Sequence, residues 1–182
     1  MKWLIASDIH GSAYYCKQLL EAYRREKADR LLLLGDLLYH GPRNDLPRDY
    51  QPKQVLTMLN ELQNDILCVR GNCDTEVDQM VLQFPILADY CLLCEDGCLI
   101  FATHGHHYNE KNLPPLHAGD ILLHGHTHVP CCVERASYIC MNPGSVSIPK
   151  GESCNSYMTL EDHIFLWKNL EGVEWMRFHF KK

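Results

Sequence analysis

Residues 2–36 read KWLIASDIHGSAYYCKQLLEAYRREKADRLLLLGD and contain a predicted strand, helix and second strand. The apolar run at 2–7 ends in a polar loop, which is typical of a buried strand. A second strand-like run at 30–34 ends at Gly35. Between them, residues 13–27 carry apolar side chains at the spacing of one buried helical face, namely Cys16, Leu19, Leu20 and Tyr23.

The same alternation continues toward the C-terminus. Residues 52–62 have the apolar spacing of a helix, and residues 66–69 form a third strand-like run. The order β-α-β-α-β favours a parallel sheet covered by helices.

The second half of the chain is predicted to be rich in strands. Turn signals such as Asp96-Gly97 and Glu171-Gly172 separate several of the runs. We expect a mostly antiparallel second sheet packed on the first, within one α/β domain that has mixed sheets and spans residues 1–182. The predicted strands are 90–93, 99–103, 121–123, 138–141, 156–160, 163–168 and 173–180.

Composition and charge exclude several classes of protein. Hydrophobic residues make up 46% and charged residues 22% of the chain, which is ordinary for a globular protein. The formal net charge of −6 argues against a stable nucleic-acid complex or binding to an anionic membrane. No apolar run approaches a secretory signal or the roughly 20 residues that cross a bilayer, so we expect a cytoplasmic protein.

Ten cysteines occur in the sequence. In a cytoplasmic protein they are expected to be reduced thiols that serve as small apolar side chains. Cys91 and Cys94 form a C-x-x-C pair, but a zinc site would need a second well-spaced pair, and Cys131-Cys132 is not one. The spacing therefore predicts no structural zinc at the cysteines.

Five short polar motifs each follow a strand-like run. Because ligand sites in open α/β sheets form beyond the carboxyl ends of strands, we expect these five loops to converge. The motifs are Asp8-Ile9-His10, Gly35-Asp36, Gly71-Asn72-Cys73-Asp74, Thr103-His104-Gly105-His106 and Gly125-His126-Thr127-His128.

The residue types in these motifs are those of a divalent metal site, because they offer carboxylate, imidazole and amide donors. If Asp8-x-His10 is extended, positions i and i+2 point the same way and can reach one centre. An isolated D-x-H or G-D is usually a cap or a turn. Five such motifs in order, each at a strand exit, are not explained by turn chemistry, and burying their charges without metal would be costly.

The ordered set D-x-H, G-D, G-N-x-[DE], [TG]-H-G and G-H-[TS]-H resembles that of the calcineurin-like metallophosphoesterases. The segments 40–44 and 144–151 are most similar to those of the small bacterial YfcE-type phosphodiesterases. This resemblance implies a four-layer α/β/β/α sandwich and a dinuclear metal site. It also implies a homo-oligomer, either a dimer or a tetramer.

The resemblance further implies which residues hold two divalent metal ions, commonly Mn²⁺ and sometimes Fe, Zn or Ni. Asp36 would bridge both ions and, with Asn72, belong to the catalytic machinery. Asp8, His10 and His128 would hold the first ion, and Asn72, His104 and His126 the second.

Two metals at such a site are expected to share a hydroxide that attacks phosphorus in line with the leaving group. Their charge, less that of Asp8, Asp36 and the hydroxide, leaves about one positive charge, which suits a small phosphodiester monoanion. A phosphomonoesterase or pyrophosphatase with the same metals is the alternative. A non-catalytic scaffold resembling the retromer small subunit is a third reading, although that protein has lost metal positions that this chain keeps.

One motif departs from the family pattern. Many relatives carry G-N-H-[DE], in which the histidine protonates the leaving oxygen, whereas here Cys73 stands in that place. A neutral thiol is a poorer proton donor than imidazolium. We therefore expect the enzyme either to favour leaving groups that depart easily or to recruit Asp74 or another histidine, such as His40, as the proton donor. Cys73 and Asp74 are thus candidate catalytic residues, whereas Arg43, which could bind a phosphate oxygen, and His40 are candidate substrate-binding residues.

Overall fold

The computed structural model describes residues 1–180. None of the helices in that range is both long and apolar enough to cross a membrane. The elements in chain order are β1 (Trp3–Ala6), α1 (Ala13–Glu26), β2 (Arg30–Leu33), α2 (Pro52–Asn60), β3 (Ile66–Cys68), α3 (Glu76–Gln79), β4 (Tyr90–Glu95), β5 (Cys98–Thr103), β6 (Ile121–Leu123), β7 (Cys131–Glu134), β8 (Ile139–Asn142), β9 (Ser156–Glu161), β10 (Ile164–Asn169) and β11 (Glu174–His179).

Helix α1 confirms the prediction made from its apolar spacing. The Ser12 hydroxyl accepts a hydrogen bond from the backbone N–H of Tyr15 at 3.3 Å, which satisfies one of the free donors at the start of the helix. The helix ends at Lys27, whose left-handed backbone lets its N–H bond the carbonyls of Tyr23 and Arg24. Its buried face then packs on the first sheet.

The first sheet has the strand order β11-β10-β9-β1-β2-β3. Strands β1, β2 and β3 are parallel, as the β-α-β-α-β order predicts. The assignment of the last three strands to the second sheet is wrong, because β9 pairs antiparallel with β1, and β10 and β11 follow it. Strand β1 is buried and would otherwise leave one row of backbone groups without partners.

The second sheet has the order β4-β5-β6-β8-β7. The central strands β5, β6 and β8 are parallel, and only the edge strands β4 and β7 are antiparallel. The sheet is therefore mixed rather than mostly antiparallel. Strand β7 and the one-turn helix α3 were not predicted.

The layers follow from the two faces of each sheet. Leu4, Leu31 and Leu33 of the first sheet pack under the helices, whereas Ile5 and Leu32 face the second sheet. The outer face of the second sheet is covered by residues 104–120, which contain no α-helix. The predicted α/β class with two mixed sheets is confirmed, and its outermost layer is irregular chain.

Glu26 at the end of α1 links the helix to the first sheet. It accepts hydrogen bonds from the Tyr157 hydroxyl at 2.8 Å and from the Lys168 ammonium at 2.8 and 2.9 Å, and Lys2 lies 3.2 Å away. Burial opposes ionisation of Glu26, but the hydrogen bonds from Lys168 and Tyr157 hold its pKa below the usual 4.5. The ionised carboxylate is therefore favoured by folding.

Replacing Glu26 by glutamine is expected to lower the free energy of unfolding by about 1–2 kcal/mol at neutral pH, after allowance for solvent screening. Because the folded pKa is depressed, this contribution is present above pH 4.5 and is lost as pH falls through the lower folded value. Urea unfolding at pH 7 and pH 3 should show the difference between wild type and variant shrinking in acid. A loss of unfolding free energy that is the same at pH 7 and pH 3 would contradict this role. So would an equal loss in the control Glu21→Gln, which changes a residue on the exposed face of α1.

Candidate metal centre

The structure brings the seven candidate ligands together at one end of the two facing sheets. They lie in the loops that leave the carboxyl ends of five parallel strands, β1, β2, β3, β5 and β6. The predicted convergence of the five polar motifs is thus observed, and in the second sheet it depends on the parallel pairing of β5 and β6. The side chains form two adjoining groups that share Asp36.

The first group contains Asp8, His10 and His128. The Asp8 carboxylate oxygen Oδ1 lies 3.2 Å from Nε2 of His128 and 3.5 Å from Nε2 of His10. The two Nε2 atoms are 3.2 Å apart. All three side chains are at most 3% exposed.

These three atoms do not satisfy one another by hydrogen bonding. The Nδ1–H of His10 donates to the Tyr39 carbonyl at 2.7 Å, and that of His128 donates to the Ile148 carbonyl at 2.6 Å. When the two rings are neutral, each therefore turns an Nε2 lone pair toward the Asp8 oxygen, which is buried and then has no hydrogen-bond donor among the described residues. Three acceptors that face one point are stabilised by a shared positive charge, which either a proton on an imidazole or a metal ion supplies.

The second group contains Asn72, His104 and His126. The Nδ1–H of His104 donates to the Leu34 carbonyl at 2.6 Å, which leaves its Nε2 as an acceptor. That Nε2 lies 3.1 Å from Oδ1 of Asn72 and 3.2 Å from Nδ1 of His126. When His104 is neutral, its Nε2 and the Asn72 oxygen therefore turn lone pairs toward one point, and Nδ1 of His126 lies beside them.

Asp36 stands between the two groups. Its Oδ2 lies 3.6 Å from Nε2 of His10 and 3.5 Å from Nε2 of His104. Its Oδ1 accepts a hydrogen bond from the backbone N–H of Cys73 at 2.8 Å, which fixes the carboxylate plane. One carboxylate oxygen is therefore within reach of both groups.

The donor atoms fit a pair of divalent cations. Ligands bound at roughly 2.0–2.2 Å around one cation lie about 3.0–3.6 Å from one another. The separations within each group, from 3.1 to 3.6 Å, fall in that range. Hydrogen bonds from the outer imidazole nitrogens to backbone carbonyls are also the usual support of metal-binding histidines.

The electrostatics of the residues point the same way. Burial opposes ionisation of Asp8, yet the neighbouring His10 and His128 hold its pKa well below the usual range. Burial disfavours charge on His104, but Asp36 and Asp8 raise its pKa to about 9. The buried carboxylates of Asp8 and Asp36 are thus stabilised by positive charge between the two groups. Divalent cations supply that charge while the imidazoles stay neutral.

The backbone of the ligand loops is left-handed rather than extended. The φ angles are 60° at Asp8, 49° at His10, 57° at Asp36, 66° at His126 and 61° at His128. The expectation that each i, i+2 pair lies on an extended segment is therefore wrong. Non-glycine residues in this region cost of order 1 kcal/mol each, and such strain concentrates at functional sites.

Two glycines let the loops approach closely. A Cβ atom at Gly71 would collide with Asp36, and one at Gly125 would collide with the Ser7 hydroxyl. Neither Gly71 nor Gly125 has a positive φ angle, so backbone conformation does not explain why glycine stands at these positions. Both are required so that the neighbouring strands can bring their carboxylates into the centre.

Asp74 holds the loop of Asp36 and faces away from the cleft. It is 2% exposed, and its carboxylate accepts backbone hydrogen bonds from Asp36 and Gly71 at 2.8 Å and from Leu37 at 2.9 Å. Burial and the charge of Asp36 raise its pKa, while these hydrogen bonds lower it. This position favours a role in positioning Asp36 over the predicted role in proton transfer.

Replacing Asp74 by asparagine is expected to destabilise the protein by about 1–3 kcal/mol, because the amide NH₂ group would face one of the three backbone donors. Chemical denaturation should report this loss as a lower midpoint with an unchanged slope. Asp78→Asn serves as the control, since its hydrogen bonds are made at the exposed start of α3. Stability equal to wild type would show that the three backbone donors do not depend on this carboxylate.

Sequence reasoning missed the support that the 144–148 segment gives to Asp8. The hydroxyls of Ser145 and Ser147 both donate to the Asp8 carbonyl, at 3.0 and 2.9 Å. Ile148 supplies the carbonyl that orients His128. Serines in a loop carry no metal-ligand signature, so only the folded chain reveals this role.

A cleft of about 350 Å³ opens over the two groups. Arg43 lines it, as predicted for a phosphate-binding residue, and exposed Lys150 adds a second cation. His40 is not among the lining residues, because its ring packs against Tyr39 and Tyr50. The lining consists of Asp36, Gly41, Pro42, Arg43, Asn44, Asn72, Cys73, His126, Thr127, His128 and Lys150.

Comparison with known proteins agrees with this arrangement. A family model described as a calcineurin-like phosphoesterase superfamily domain matches residues 1–163. Phosphodiesterase YfcE from Escherichia coli strain K12 is 46% identical over 164 residues, which cover 90% of this chain and 89% of the relative. The relative's name assigns it phosphodiester hydrolysis.

Solved structures show the same fold. The structure of YfcE, a phosphoesterase from E. coli, matches with a TM-score of 0.96 and 42% identity over 100% of both chains. Vacuolar Protein Sorting 29 from Cryptosporidium parvum matches with a TM-score of 0.62 over 98% of this chain and 97% of that one. At 18% identity, the second likeness shows the fold alone.

Proposed function

Because the chain belongs to the calcineurin-like phosphoesterase superfamily, we propose that it is a metal-dependent phosphodiesterase that hydrolyses small phosphodiesters. The observation that carries this proposal is the convergence of seven potential ligands, five of them buried, on two neighbouring points that share Asp36. The 46% identity to a phosphodiesterase supports the diester as substrate.

Asp8, His10 and His128 would hold one cation, Asn72, His104 and His126 the other, and Asp36 would contribute to both. Mn²⁺ is the ion we propose, because the family resemblance implies it and the carboxylate and amide oxygens suit it, whereas the imidazoles also suit Fe, Zn and Ni. Two divalent cations supply Lewis-acid activation of water and neutralise the charge of the phosphate.

The remaining lining residues bind and orient the substrate. Arg43 and Lys150 lie on the rim of the cleft and attract the phosphate anion. The Nδ2 of Asn72, which donates to Cys73 Sγ at 3.2 Å, is placed to donate to a phosphate oxygen when the substrate enters. Arg43 offers a planar pair of donors that matches two phosphate oxygens.

Cys73 is a neutral thiol in this cleft. Burial and the charge of Asp36 raise its pKa, so the thiol keeps its proton at neutral pH. It is therefore neither a nucleophile nor an efficient general acid. The enzyme should depend on leaving groups that depart easily.

Replacing Cys73 by histidine is expected to preserve metal binding and to raise the rate most for diesters with poor leaving groups, by about 10-fold or more. The measurement is kcat for a series of aryl diesters plotted against leaving-group pKa, with metal content determined in parallel. Cys73→Ser is the matched control, since it changes the side chain without adding a proton donor of suitable pKa. If Cys73→His leaves the dependence of kcat on leaving-group pKa unchanged, the claim that the wild-type enzyme has no general acid at position 73 is wrong.

The function itself is tested by initial rates on a nitrophenyl phosphodiester and on the matching monoester, with Mn²⁺ present. We expect kcat/KM to be higher for the diester. A preference for the monoester or for pyrophosphate would instead identify a phosphomonoesterase or a pyrophosphatase that uses the same metal centre. Absence of any metal-stimulated hydrolysis would favour the non-catalytic scaffold.

A further inference from the structure

A separate cluster of potential metal ligands lies outside the cleft, on the outer face of the second sheet, where three neighbouring strands meet. His124 directly follows β6, Cys140 lies in β8, and Cys131 begins β7, in the strand order β6-β8-β7. One ligand atom from each of the three lies within 4.8 Å of the other two. None of the three belongs to the centre described above.

Strand alternation explains why these residues share one face. Successive side chains of a strand point to opposite sides of the sheet. Cys132 and Met141 point inward to the first sheet, and so Cys131 and Cys140 point outward. The three residues are separated by 7 and 9 positions along the chain, which is not a spacing that marks a metal site.

The imidazole of His124 is oriented as a ligand. Its Nδ1 lies 3.0 Å from the Gly125 carbonyl and 3.3 Å from the Asn142 amide nitrogen. Because the two hydrogens of that amide have closer acceptors in the Gly125 carbonyl at 2.8 Å and the Thr127 hydroxyl at 3.1 Å, we assign the proton to Nδ1, which donates to the Gly125 carbonyl. Its Nε2 lone pair therefore faces Cys140 Sγ at 3.3 Å. Metal-binding histidines usually have this outer hydrogen bond to a backbone carbonyl.

The access and charge of the group suit a cation. His124 and Cys140 are buried, whereas Cys131 is partly exposed and leaves one side open to solvent. Glu110 lies close enough to interact electrostatically with all three residues, although it is ion-paired at 2.8 Å with Arg135, which also interacts with both cysteines. Two thiolates balance the charge of one dication, so the occupied site would be neutral in this partly buried place.

We propose that His124, Cys131 and Cys140 form a third metal site, which takes a thiophilic dication of the zinc class. Two sulfur ligands and one imidazole with an open fourth position are a known zinc ligand set, whereas Mn²⁺ prefers oxygen donors. The site is therefore chemically selective against the metal proposed for the cleft. It shares no ligand with that centre and does not depend on the proposed hydrolysis.

Cobalt spectroscopy tests this proposal without reference to activity. Co²⁺ added to the fully reduced protein should give a sulfur-to-metal charge-transfer band in the near ultraviolet, and Zn²⁺ should displace Co²⁺ and remove the band. Oxygen and nitrogen ligands in the cleft do not produce such a band. Asp36→Asn, which disrupts the cleft centre, should leave it intact.

The variants separate this site from other thiols. Cys131→Ser should remove the band, and because Cys131 is partly exposed this variant is expected to fold. His124→Gln should weaken the band and shift it. Cys132→Ser, whose side chain points to the opposite face, should keep it, as should Cys73→Ser in the cleft. The proposal is overturned if wild type shows no band with Co²⁺ in excess, if the band survives Cys131→Ser, or if Cys73→Ser removes it.

Discussion

Replacing Asp36 by asparagine is expected to lower kcat/KM by at least about 10³-fold and to reduce the bound metal in parallel. Asp36 Oδ2 is the atom within 3.6 Å of His10 Nε2 and within 3.5 Å of His104 Nε2, so its charge serves both groups. Loss of several kcal/mol of electrostatic stabilisation corresponds to this factor in rate.

The fold should survive this change. In the variant, the amide oxygen can still accept the hydrogen bond from the Cys73 N–H, and the new NH₂ group can donate to the imidazole lone pairs. Metal content by mass spectrometry and initial rates should therefore fall together while the unfolding midpoint of the metal-free protein is retained. The control is Asp45→Asn, an exposed carboxylate in the following loop. An Asp36→Asn protein that keeps two metal ions per chain and full activity would refute the bridging role.

Removing divalent cations with a chelator is expected to produce the second large effect, loss of both turnover and thermal stability. A cation present at about 100 times its Kd stabilises the folded state by about 2.7 kcal/mol. For a chain of this length, that corresponds to a fall in Tm of roughly 5–10 °C. Adding Mn²⁺ back should restore both quantities, and parallel additions of Fe²⁺, Zn²⁺ and Ni²⁺ would rank the alternatives.

Asp36→Asn provides the matched control for this measurement, because it should show little change in Tm on chelation. A zinc ion at His124, Cys131 and Cys140 would contribute its own share, and Cys131→Ser removes that contribution. If metal-depleted wild type kept its rate, the proposed hydrolytic centre would be wrong.

Much of the fold could be predicted from local patterns. The helix at 13–27 has a complete apolar face, a capping serine and a left-handed end, all of which are encoded within a few residues. The membership of β9 in the first sheet could not be predicted. It depends on pairing between Leu4 and Thr159, which are far apart in sequence, and a strand's own composition does not name its partner.

The candidate site also has features that the sequence predicts and features that it does not. The polar motifs could be recognised because each directly follows a predicted strand, although the parallel pairing of β5 and β6, which brings two of them to the same edge, was not predicted. The left-handed backbone at Asp8 and His126 could not be predicted, since only a small minority of non-glycine residues adopt a positive φ and residue type alone does not say which ones. Lys150 has no motif in the sequence that marks a binding residue, and its place on the cleft rim depends on the fold of the 144–151 loop. The group at His124 and Cys140 was hidden because its members come from different strands.

The central claim is that seven side chains gather around two dications. A crystal structure of the protein grown with excess Mn²⁺, with anomalous data collected at the manganese absorption edge, tests it most directly. We expect two anomalous peaks, one beside Asp8 and His128 and one beside His104 and Asn72, with Asp36 in contact with both. A single peak away from Asp36, or none between these side chains, would contradict the account.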